Sequence, residues 1–98
     1  MDKRIKFNVA GTQYTHAKFY GIEDAQEIKL TPEPDNAHDS NAIQVLTSEG
    51  MKLGYVPRTI TGLVHEMIQK RHAAFVASVC SDSFNISIHV TVVDLEGK

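Results

Sequence analysis

The segment TPEPDNAHDSNAIQV, residues 31 to 45, gathers Glu33, Asp35, Asn36, His38, Asp39 and Asn41 into nine positions. Side chains of these types suit two kinds of chemistry. Carboxylates at nearby loop positions can hold a hard cation such as Ca²⁺ or Mg²⁺, and Glu33, Asp35 and Asp39 are the candidates for a metal-dependent hydrolase. Their spacing lacks both the many-oxygen array and the closing bidentate Glu of a calcium loop, so it is a weak metal signal. Alternatively, Asn and Asp side chains accept hydrogen bonds from backbone N–H groups one or two residues ahead and stiffen a loop. That role accounts best for Asn41, beside the returning strand; for Asn36 a structural and a binding role weigh equally. Either way the stretch from Pro32 to Asn41 is longer than the two to five residues a hairpin needs, and such lengths are more often functional than connective.

The flanking segments must position this loop. Ile5, Phe7 and Val9 alternate with Lys6 and Asn8, predicting a first strand that Gly11 ends. Residues 12–21, TQYTHAKFYG, mix β-formers with polar groups and read as a less regular strand carrying Tyr14, Phe19 and Tyr20. IEDAQ is long enough for one turn only. Glu27 to Thr31 alternates with Ile28 and Leu30 inward, and Pro32 and Pro34 then end the pairing because neither donates a backbone N–H. AIQVL and KLGYVP form a hairpin turned around Gly50. From Thr59 the period changes: Ile60, Leu63, Val64, Met67 and Ile68 make one apolar stripe, and QKRH supplies cations to the last helical turn. Gly62 inside this helix implies close packing or an early 3₁₀ turn. A final hairpin, AFVASVC and FNISIHVTVV, turns at SDS, with Phe84, Ile86, Ile88, Val90 and Val92 on one face. With the irregular segment 12–21 left out of the count, about six strands with one helix between the fourth and fifth predict a mainly β fold: a small, OB-like, partly open antiparallel β-barrel.

Composition sets the bounds. Ninety-eight residues suit one domain, burying roughly 60 to 68% of the unfolded surface. A net charge of −2 argues against tracking many phosphates, so any contact with nucleic acid must be local. One cysteine, Cys80, allows no internal disulfide and no thiolate zinc site, which fits a cytoplasmic protein; it reads as a small core filler beside Val79. No run of about 18 apolar residues predicts a membrane span. His65, His72 and His89 read as surface residues with no metal spacing, and neither a nucleophile elbow nor a phosphate-cradling glycine loop is present. The expectation is a protein with no cofactor, no metal and no catalytic residue.

EPDNAHDSNAIQV, followed by LGYVPR and an apolar-striped helix, resembles the HIRAN domain, whose typical run is Arg-Glu-Pro-x-Asn-Pro-Tyr-Asp-x-Asn-Ala-Ile-x-Val and then Gly-Tyr or Gly-His. FNVAGTQY is similar to that family's opening strand and turn, so the likeness extends from Phe7 to about Ile68 and takes in the last hairpin by pattern only. The resemblance implies one HIRAN-like domain over residues 1–98, with an OB-like barrel that captures the 3′-hydroxyl end of single-stranded DNA in repair or replication-fork processing. It implies that Tyr14 stacks on a base and that Asp39 accepts a hydrogen bond from the terminal 3′-OH. Such a carboxylate would welcome a hydroxyl donor and repel an internal phosphodiester. Arg58 would pair with phosphate, for which a guanidinium fork is suited. Gln13, Asn36, His38 and Tyr55 complete the implied DNA-binding set, although a strand tyrosine is more often half-buried packing.

The chain departs from the family at Gln13, where a basic residue is usual, at Pro32 for Arg, at Ala37 for Pro, and at His38 for Tyr. Weaker phosphate affinity and a looser loop follow. His38 can still stack, and its protonated form would add a cation beside the DNA. The resemblance also implies an ATPase or nuclease partner protein. The competing reading is a protein-interaction or small-ligand module on the same barrel without DNA-end recognition.

Overall fold

The computed structural model describes residues 3–82 and 85–96, with the backbone alone at Phe19. The two-residue alternations form β1 (Arg4–Asn8), β2 (Ile28–Pro32), β3 (Ile43–Thr47), β4 (Lys52–Tyr55), β5 (His72–Ser81) and β6 (Ile86–Asp94). The stripe of period 3.6 forms α1 (Thr61–Ile68), between β4 and β5. Two antiparallel sheets result, one ordered β1-β6-β5 and the other β2-β3-β4. Single rungs join them at both margins, Ala10 to Tyr55 on one side and Glu27 to Phe75 on the other. The fold is therefore a partly open barrel, as the alternation predicts.

Burial explains the arrangement. Ile43, Val45, Leu53, Val64, Val76, Ile88 and Val92 are completely or almost completely buried and meet in one core. At roughly 1.5–3 kcal/mol for each such side chain, this cluster dominates the favourable side of folding. Turn chemistry fits as well: Gly50 takes a positive φ of 90° in the β3–β4 turn, where the Thr47 hydroxyl accepts a bond from the Met51 amide at 3.1 Å.

Four expectations are corrected. Residues 12–20 form no strand but two 3₁₀ turns, Thr12–Tyr14 and Ala17–Phe19, because Gly11 bends left-handed at φ 76° and the chain leaves the sheet. The helix is shorter than its stripe: residues 58–60 are a 3₁₀ turn, Ile68 ends α1, and Lys70 and Arg71 fall beyond its last turn. Within α1 nothing would crowd a Cβ at Gly62, so the adjoining 3₁₀ turn rather than close packing is what stands there, and Leu63 is 57% exposed. Cys80 is exposed, not a core filler. A bulge between Val76 and Ser78 reverses the strand's facing, so the parity that buries Ala74 and Val76 carries Cys80 outward and Val79 inward. Phe84 and part of the SDS turn lie outside the described residues.

Candidate nucleic-acid interface

Three irregular segments meet at the margin closed by the Ala10–Tyr55 rung: the Gly11 turn, the loop before β3, and the link from β4 to α1. Reciprocal bonds of 2.8 Å (Ala10 N–H to Tyr55 O) and 2.9 Å (Tyr55 N–H to Ala10 O) hold the rung. Gly54 makes this approach possible, since a Cβ there would run into the Ala10 carbonyl oxygen and the Val9 side chain. The segments enclose an open groove of about 380 Å³, lined by Tyr14, Asn36, His38, Asp39, Tyr55 and Arg58 together with Ala10, Gly11, Ala42 and Val56.

Each wall is fixed by identifiable bonds. The Gly11 turn is pinned where the Thr12 hydroxyl donates to Ile86 O at 2.9 Å and the Thr15 hydroxyl to Leu53 O at 3.0 Å. Tyr14 projects from it at 86% exposure, an aromatic ring presented to solvent at a groove edge. In the loop, Asn36 Oδ1 accepts from the amides of His38 (2.8 Å) and Asp39 (3.0 Å). Its Nδ2 donates to Glu33 Oε1 at 2.6 Å, and the Tyr55 hydroxyl donates to the same oxygen at 2.9 Å. Glu33 thus braces the loop against β4. The bonds from Asn36 and Tyr55, with Lys52 nearby, hold its carboxyl below the ordinary glutamate pKa despite a small opposing effect of burial.

Asp39 divides its oxygens. Oδ1 accepts from the Asn41 amide at 2.9 Å, and Oδ2 stands 3.4 Å from Arg58 Nε. The Asp39 side chain is 20% exposed and that of Arg58 79%, so a partly accessible carboxylate lines the groove beside a largely solvated cation. Such an arrangement offers a hydroxyl acceptor and an anion donor side by side.

Six of the seven candidate residues therefore line one groove. Gln13 does not; it lines an adjoining polar recess. Tyr55 is both half-buried and part of the groove wall. The Asx role expected of Asn41 belongs to Asn36 and Asp39, and the Asn41 carbonyl instead bonds the His65 ring at 3.0 Å. Sequence patterns do not reveal Glu33 and Lys52 as supports. Lys52 Nζ donates to the Tyr55 hydroxyl at 2.6 Å and sits 4.2 Å from the ring centre, a meeting made by the β3–β4 register shift, to which periodicity is blind. Among the described residues no three His, Cys, Asp or Glu side chains stand close enough to hold a metal ion, and no helix is long and apolar enough to cross a membrane.

Comparison with known proteins gives a consistent result. The model of the HIRAN domain family matches residues 3–93. The chain is 33% identical over 61 residues to a putative SWI/SNF-related matrix-associated actin-dependent regulator of chromatin subfamily A member 3-like 1 from Arabidopsis thaliana; the match covers 62% of this chain and 7% of that protein. Its structure is similar to the crystal structure of the human HLTF HIRAN domain (TM-score 0.70, 20% identity, 96% of this chain and 78% of that one). A Lactobacillus plantarum protein is similar too (TM-score 0.67, 21% identity, 96% and 99%). So is the HLTF HIRAN domain in its DNA-bound conformation, solved by NMR (TM-score 0.62, 20% identity, 96% and 78%).

Proposed function

The chain belongs to the HIRAN domain family, and from that premise we propose that it is a non-enzymatic DNA-binding module that captures the 3′-hydroxyl end of single-stranded DNA. The observation that carries this reading is the convergence of Tyr14, His38, Asp39 and Arg58 on a single groove. One structural relative, the HLTF HIRAN domain, was solved in a DNA-bound conformation, which supports a nucleic-acid ligand.

In this reading the terminal base stacks against Tyr14 and His38 and the 3′-OH donates to Asp39 Oδ2. An adjacent phosphate draws Arg58 away from that oxygen. A continuous strand would put a phosphodiester against the same carboxylate and be repelled, so selectivity comes from a penalty as well as an attraction. Stacking adds roughly 1–3 kcal/mol per base, and with one or two phosphate contacts the salt slope should be shallow. Micromolar affinity is expected. The pathway is repair or replication-fork processing, in concert with an ATPase or nuclease partner protein.

Fluorescence anisotropy tests the proposal with one short strand carrying a free 3′-OH and the same strand 3′-phosphorylated. The free end should bind more tightly, and Asp39→Asn should reduce that preference while shifting the melting temperature little. Equal binding of both strands would overturn end capture and leave a protein-interaction or small-ligand module on this barrel.

A further inference from the structure

Across the Gly11 turn, and sharing Ala10 and Gly11 with the groove, lies a second recess of about 530 Å³. Asn8 at the end of β1, Gln13 on the turn, and Asn85 and Ser87 at the start of β6 supply its polar side chains. None of the four side chains makes a hydrogen bond within the described residues, and no Lys, Arg, Asp or Glu lines the recess. Three unpartnered carboxamides on one side of a pinned turn, with a stacking ring on the other, form a different kind of surface from the groove.

We propose that this recess is a base-reading subsite for the nucleotide preceding the captured 3′ end, and that it favours adenine. The inference rests on the end-capture reading above. Gln13 and Tyr14 are consecutive residues of one 3₁₀ turn, so a strand crossing that turn presents successive bases to opposite sides of it. The absence of cations leaves a phosphate nothing to bind there. The donor and acceptor of a carboxamide match the N6 and N7 positions of adenine, whereas bidentate guanine contacts call for Arg or Lys and the cytosine amino group for a carboxylate. In a single strand these base edges are unpaired and accessible. The walls are also held in register: the Thr12 hydroxyl donates to Ile86 O and the Val9 amide donates to Ile88 O, both at 2.9 Å.

The test is anisotropy with four single strands that have a free 3′-OH and differ only in the penultimate base, together with a 3′-phosphorylated control for each. The intact chain should bind the adenine strand roughly fivefold more tightly than the others, at the lower end expected for a bidentate contact. Asn8→Ala and Asn85→Ala should each erode that margin while keeping the preference for a free 3′-OH and the salt slope. Equal affinity for all four strands, or a margin unchanged in both variants, would overturn the subsite while leaving end capture standing. A base margin that persists with no preference for the free 3′-OH would instead overturn end capture.

Discussion

The β5–β6 hairpin and the loop between β2 and β3 are held together by opposite means. In the hairpin Val76, Ile88 and Val92 have no solvent exposure, and the strands pair from His72–Asp94 to Ser81–Ile86. From Glu33 to Asn41 no residue is buried; Asn36 Oδ1 takes two amides, Asp39 Oδ1 a third, and Glu33 ties Asn36 to Tyr55. Burial is large and non-directional, whereas a net hydrogen bond contributes only about 0.5–1.5 kcal/mol but fixes an orientation. Candidate binding residues therefore stand on the weakly held region, where geometry can change without unfolding the barrel.

Ile88→Ala should show the hairpin side of this contrast most strongly. A fully buried β-branched residue truncated to Ala costs about 2–5 kcal/mol, so thermal or urea unfolding should register a large loss, while the remaining folded protein keeps its strand-end preference. Gly54→Ala sits between the two regions. Its Cβ meets the Ala10 carbonyl and Val9, so a loss of about 1–3 kcal/mol is expected, along with weaker binding as Tyr14 and Tyr55 are driven apart. A Gly54→Ala protein with normal stability would show that the rung is not the tight contact described. Asn36→Ala should cost only about 1 kcal/mol in melting experiments, yet weaken DNA binding more than its stability loss implies, because two amides beside Asp39 lose their acceptor.

The same contrast explains what the sequence discloses. Period two from Ile86 to Val92 is enforced by a buried face, so the barrel strands and their order around the helix are legible. Tyr14 is recognisable as a candidate site residue, but its neighbours' β propensity points to a strand; the left-handed Gly11 decides otherwise. Cys80 misleads for a related reason, since one extra residue at the β5 bulge reverses which face is inward. The family-like run points to Asp39 and Arg58, yet their mutual pairing depends on how the loop folds back over the β4–α1 link, which no local pattern encodes. Glu33 stands out in the sequence as an acid and enters there only as one candidate in a weak metal signal. Its bonds to Asn36 and Tyr55 come from chain segments 22 residues apart in the second case, and only the folded register brings them together.

Glu33 provides the finest test of the loop's dependence on directional bonds. Asn36 and Tyr55 donate to its carboxylate, which lowers its pKa in the folded chain below the value in the unfolded one. A lowered folded-state pKa contributes stability that is fully present above the unfolded pKa and disappears as pH falls through the folded value. The window therefore opens at the ordinary glutamate value of about 4.3 and extends downward. Glu33→Gln keeps an oxygen that can accept both bonds but has no proton to gain. Melting temperatures of the two proteins should thus differ slightly at neutral pH and draw together through the acid window, the effect being small because solvent screens the group. Parallel curves throughout would mean that the charge on Glu33 carries none of the brace, and that the loop is set by Asn36 and the Asp39 carboxylate alone.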